Sequence, residues 1–206
     1  MTSSPLRALF VEPLAECVRW WLASGKLSDD EVDRALSAEA RAWVEGACEA
    51  TRATPLEDVE TLVALVADQL GGEAALAEFA GEIVAGWAAR APIEGLLRTA
   101  LPLADGAGFV ASQASEWLVV APEWSYAGGC DEFELRIHGL SAASPALRAL
   151  LGALLASLAA AGSPRALDVR VRGVDDAELV IAGRAAASQS TDPAGESRLH
   201  RAALVA

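Results

Sequence analysis

The chain has 206 residues, 53% of them hydrophobic, with a formal charge of −13 and a pI of about 4.5. That length suits one core-forming domain with a helical addition, and the acidity argues against nucleic acid or anionic lipid as partners, because both demand a basic surface. Lys26 is the only lysine and the arginines are scattered.

Leu6 to Ser24 is apolar around Pro13 and reads in either of two ways. It is a short extended piece (Ala8 to Val11) before a helix that starts at Pro13, or it is one kinked helix. Trp20 and Trp21 close it; adjacent helical positions point about 100° apart, so the two indoles cannot share one core. Ser28 and Glu31 form a capping box for a short helix to Leu36, and a further helix spans Ala38 to Ala50. Thr54-Pro55-Leu56-Glu57 combines a capping threonine, a first-turn proline and a reciprocal glutamate, predicting a helix to Leu70 that ends at Gly71-Gly72. Leu76, Phe79, Ile83 and Trp87 keep register on a helix from Glu73 to about Ala89, and a short helix follows from Ile93 to Ala100.

The pattern changes after Gly106. Glu116 to Ala121 is apolar and β-branched and reads as a strand, and Pro122 to Asp131 reads as a loop. In Glu132 to His138, Phe133, Leu135 and Ile137 alternate with charged residues, as in a half-buried antiparallel strand. Ser144-Pro145 then opens a helix that Gly162 is expected to stop in a left-handed conformation. One side of this helix carries Leu147, Leu150, Leu151, Leu154, Leu155 and Leu158. The other carries Ala149, Gly152, Ala153, Ala156 and Ala160. With no polar back, both sides should be covered, the leucine side by the sheet. Leu167 to Arg172 and Glu178 to Ala182 alternate around a turn at Gly173-Val174-Asp175-Asp176.

Helices followed by strands give an α+β fold: an N-terminal helical layer, then a small antiparallel sheet (strand, strand, long helix, hairpin) packed on helices. Residues 1–36 read as an N-terminal helical extension, 37–183 as the α+β ligand-binding or interaction domain, and 184–206 as a mobile tail.

The segments LVALVADQLGGEAALAEFAGEIVAGW, CDEFELRIHGL, SPALRALLGALLASLAAAG and ALDVRVRGVDDAELVIAG carry a resemblance over about Leu36 to Gly183. They resemble the superfamily of haem-NO-binding sensor domains, 4-vinyl-reductase-like small-molecule-binding domains and tether subunits of Golgi transport. More closely, they resemble a related bacterial paralogous family of unknown function. The resemblance implies a helical layer, a small antiparallel sheet and an apolar cavity or dimer face, without one shared chemistry. Haem-binding members need an axial histidine in a helical pocket and a Tyr-x-Ser-x-Arg arrangement. Here His138 falls on the polar side of a strand, His200 lies in the tail, and Tyr126 is followed by Ala127 and Gly128. Members that hold zinc cluster their cysteines, whereas Cys17, Cys48 and Cys130 are far apart. No cofactor and no metal are expected.

Cys130, Asp131 and His138 form the sole candidate nucleophilic cluster, but opposite ends of an extended strand stand about 25 Å apart at roughly 3.3 Å per residue. The chain is therefore expected not to be an enzyme. It reads first as a cytoplasmic interaction or regulatory module that binds a protein partner or itself through Ala149, Gly152, Ala153, Ala156 and Ala160. Trp124 serves there as an interface or a core residue. The alternative is a sensor holding an apolar small molecule between helices and sheet, lined by Leu76, Phe79, Ile83, Trp87 and Leu154.

Overall fold

A computed structural model of the chain describes residues 6–47, 53–90, 93–103, 105–118, 123–129, 132–140, 143–175 and 178–185. The chain opens with a two-residue strand β1 (Leu6–Arg7) and helix α1 (Ala8–Ala23), which runs through Pro13 as a single helix. Proline has no N–H for the carbonyl four residues back, so the helix forgoes that one bond there. Helices α2 (Asp29–Ala35) and α3 (Ala38–Val44) follow. The capping box on α2 is present, with the Ser28 backbone N–H donating to Glu31 Oε2 at 2.8 Å. Ser37 caps α3 by accepting from the Ala40 N–H at 3.1 Å.

Thr54 does not cap the next helix. It sits in strand β2 (Ala53–Thr54), paired antiparallel with β1, and Pro55 occupies the cap position of α4 (Leu56–Leu70) with no side-chain cap bond. Because the helix begins at Leu56, the cap position falls on Pro55, whose side chain has no group to accept from the first-turn N–H groups. Gly71, at φ 98°, ends α4 in the left-handed conformation that glycine adopts without Cβ strain. Then come α5 (Glu73–Ala88) and α6 (Ile93–Ala100), at the expected places.

The strand expected at Glu116 to Ala121 is not seen over its described residues, and residues 119–121 lie outside them. Helix α7 (Gly106–Leu118) occupies its first three residues, and strand β3 (Glu123–Gly128) takes much of the expected loop. Ala107, Val110, Ala111, Ala114 and Leu118 are buried at helical spacing along α7, so the stripe was in the sequence but was hidden by its small residues. Strand β4 (Glu132–His138) alternates as expected, with Phe133, Leu135 and Ile137 buried. Helix α8 (Pro145–Ala161) has Ser144 as its cap and Pro145 in its first turn. Gly162 closes α8 in a right-handed conformation (φ −82°), contrary to the left-handed stop expected of it. Glycine serves there for space, because a Cβ would collide with Val110 of α7.

Strands β5 (Leu167–Asp175) and β6 (Glu178–Ala185) complete a four-stranded antiparallel sheet in the order β3-β4-β6-β5. β5 takes in Gly173 to Asp175 of the expected turn, with a register irregularity between Gly173 and Asp175, and Asp176 lies outside the described residues. The fold is α+β: helix α7 packs against β3 and β4, α8 against β5 and β6, and α4, α5 and α7 surround α8. No helix among the described residues is long and apolar enough to cross a membrane. Of the tail read as 184–206, residues 186–206 lie outside the described residues.

The six leucines of α8 are buried. The sheet nevertheless meets α8 on its small-residue side. A Cβ at Gly152 would lie 2.5 Å from Val171 Cγ1 and 3.3 Å from Leu179 Cδ1. This corrects the expectation that the sheet lies on the leucine row, and the physical reason is clearance: a strand approaches a helix most closely where the helix has no side chain.

Candidate functional site

Helix α1 packs on α3, α4 and α7, and α5 packs on α4, α6 and α8, but α1 and α5 do not pack closely on each other. An open cleft of about 370 Å³ lies between them. From α1 it is lined by Glu12, Pro13, Glu16, Cys17 and Trp20, from α5 by Phe79, Glu82, Ile83, Gly86 and Trp87, and just past the end of α5 by Arg90. Each set follows the spacing of one helical face. Gly86 offers no side chain, which leaves room between the stripes.

The cleft has an apolar floor and a charged rim. Ile83 and Trp87 are buried, Phe79 is half-buried, and Trp20 is 64% exposed. The neighbouring Trp21 is 2% exposed and carries the Lys26 ammonium over its ring at 4.7 Å. The tryptophan pair thus divides, one indole in the core and one in the cleft. Covering the open indole would remove roughly 100–150 Å² of apolar surface from water, worth about 3 kcal/mol. Burial pushes the Cys17 thiol up to about 11, with Glu82 and Glu16 adding to the rise and Lys26 opposing it. Cys17 is therefore a neutral thiol and a poor nucleophile at physiological pH.

Three of the five residues expected to line an apolar pocket, Phe79, Ile83 and Trp87, come together here. The other two do not: Leu76 and Leu154 are sealed in the core at 0% and 1% exposure. The cleft where the three meet lies between two helices. Glu12, Cys17 and Trp20 were not foreseen, since their signal, a stripe along α1, reads equally as core.

The residues expected to form an interface lie apart from this cleft. Gly152 is buried under the chain's own sheet, Ala149, Ala153 and Ala156 are half-buried, and Ala160 is exposed. Ala149 and Ala153 line a groove with Ala77, Arg148, Val171 and Leu179. Trp124 is half-buried against the core beside Leu103, Phe109 and Tyr126. There the Tyr126 hydroxyl donates to Asp105, with both carboxylate oxygens at 2.7 Å. A wide depression on the outer face of the sheet is lined by charges that pair with one another, including Arg184 with Glu132 at 3.5 Å and Arg170 with Asp168 at 2.7 Å. Cys130 and Asp131, two members of the candidate nucleophilic cluster, lie outside the described residues.

No protein-family model and no curated protein matches the chain. Solved structures share its fold. The Fe(II) unliganded H-NOX protein from K. algicida aligns with a TM-score of 0.60 at 9% identity. A single-residue mutant of that protein aligns with a TM-score of 0.59 at 10% identity. Each alignment covers 89% of this chain and 98% of the other. The chain thus has an H-NOX-like fold.

Haem, the group that fold likeness brings to mind, does not fit the residues described. His138 stands exposed at the end of β4, on a strand and not in a helix. The Cys17 thiol is held protonated, and the rim beside it carries Glu12, Glu16 and Glu82, which would repel the two propionates. Among the described residues no three His, Cys, Asp or Glu side chains are grouped to hold a metal ion.

Proposed function

We propose that this protein is a non-catalytic small-molecule-binding module that takes an apolar ligand in the cleft between α1 and α5. The observation that carries the reading is the indole of Trp20, 64% exposed above a floor of Ile83, Trp87 and Phe79. An exposed large aromatic at the mouth of an apolar recess is surface awaiting cover. The volume lies at the small end of the roughly 300–1,000 Å³ found for ligand sites, matching a short alkyl chain or a single fused ring system. The H-NOX-like fold is compatible with the reading without carrying it, since the cleft and its lining are this chain's own.

The test is a titration of the purified protein with decanol, followed by native mass spectrometry and tryptophan fluorescence. One decanol should bind per chain. Phe79→Ala should weaken binding at least about fivefold, the loss expected for a truncated aromatic contact. Phe109→Ala, in the recess beside Trp124, should leave it unchanged. Equal weakening by both variants, or no bound decanol in the native protein, would refute the assignment.

A further inference from the structure

We infer that the ligand of the α1–α5 cleft is an organic cation, an amine or quaternary ammonium carried on an apolar body; this rests on the binding function proposed above and names its ligand class. Three carboxylates, Glu12, Glu16 and Glu82, line the cleft against the single cation Arg90. Among the described residues none of the three is engaged in an ion pair. Elsewhere on the surface some charges pair off: Arg136 with Glu134 and Glu178, Arg172 with Glu134, and Arg41 with Asp29, Asp33 and Glu45. Other described carboxylates also stand without an ion pair, Asp68, Glu73 and Glu78 among them; what sets the cleft apart is that its three carboxylates border the aromatic lining of Trp20, Trp87 and Phe79.

Two of them also oppose each other. Glu12 and Glu16 stand four residues apart on α1, where like charges destabilise a helix, and Glu82 brings a third negative charge from α5. A cation placed among them relieves that repulsion. The aromatic lining acts in the same direction, because the faces of Trp20, Trp87 and Phe79 carry the negative side of the ring quadrupole. Aromatic faces joined to carboxylates are the chemistry that recognises substituted ammonium groups. An anionic amphiphile would meet the same groups as repulsion.

Three probes of one chain length separate the charge inference from the cleft itself: decyltrimethylammonium, decanol and decanoate. Each is titrated into the full chain by calorimetry at concentrations below micelle formation, with thermal melting to confirm that the protein stays folded. The cation should bind about tenfold more tightly than decanol, as an exposed cation–π contact and partly solvated carboxylates together provide, and decanoate should bind most weakly. The Glu16→Gln/Glu82→Gln double variant should cut the preference for the cation to below about threefold, with decanol affinity unchanged; added salt should narrow the gap in the wild type. Equal binding of cation and decanol would overturn the inference and leave the apolar cleft standing. Absence of binding by all three probes would overturn both.

Discussion

Gly152 of α8 lies directly beneath Val171 of the edge strand β5, so that a Cβ at position 152 would stand 2.5 Å from Val171 Cγ1. The small side of α8 is thus covered here by the chain's own sheet. Alanine at 152 gains about 1 kcal/mol of helix propensity but meets a stiff β-branched neighbour, and overpacking costs about 1–3 kcal/mol. Gly152→Ala should therefore lower stability slightly or leave it level. In a Val171→Ala background the clash is gone, and Gly152→Ala should stabilise by up to about 1 kcal/mol. Urea unfolding of the four proteins measures this coupling, and additive effects would show that the contact is not tight.

Tyr126 ties the sheet to the approach to α7 through Asp105. Burial, reinforced by the Asp105 carboxylate, raises the Tyr126 hydroxyl above its ordinary value of 10.0. The sign follows from linkage. Below pH 10 the hydroxyl is protonated in both states and the contribution is complete. As pH rises beyond 10 the unfolded chain releases its proton first, so stability falls. Tyr126→Phe should cost about 1–2 kcal/mol at neutral pH and flatten the decline above pH 10, as read by denaturant unfolding across pH.

Glu60 reaches from α4 to the start of α8, accepting from the Ser144 backbone N–H at 2.7 Å across 84 residues of sequence. The same Ser144 caps α8 through its hydroxyl, which accepts from the Leu147 N–H at 3.2 Å. Glu60→Ala should cost roughly 1–2 kcal/mol, and Ser144→Ala about 1 kcal/mol. Because both changes act on one helix end, the double variant should lose less than the sum. Chemical denaturation decides.

Much of the fold could be read locally. The alternation of β4, the capping box at Ser28 and the Ser144-Pro145 start are short-range signals, and each lies where expected. The failures have one cause, a choice made by tertiary packing. A short apolar run such as that around Leu118 fits a helix or a strand equally, and burial of Ala107, Ala111 and Ala114 under α8 and the sheet selects the helix. Thr54 had the chemistry of a cap but was drawn into pairing with Leu6. Of the candidate site, Phe79, Ile83 and Trp87 were visible as one stripe of α5. Their partners on α1 were not, because periodicity marks an apolar face without saying whether the neighbouring helix closes on it. Leu76 shares the stripe and is buried; Phe79, one turn on, faces the opening.

The most direct check is the alkylation rate of Cys17 by iodoacetamide at about pH 8, read by peptide mass spectrometry. With its thiol pushed up to about 11 from 9.0, Cys17 should react roughly a hundredfold more slowly in the folded chain than in urea. Saturating decanol or decyltrimethylammonium should slow the folded-state reaction further, since Cys17 lines the cleft that the ligand fills. Protection that needs at least about fivefold more probe in Phe79→Ala is the predicted result. An unchanged Cys17 rate at concentrations where a probe is demonstrably bound would place the ligand elsewhere and contradict the account.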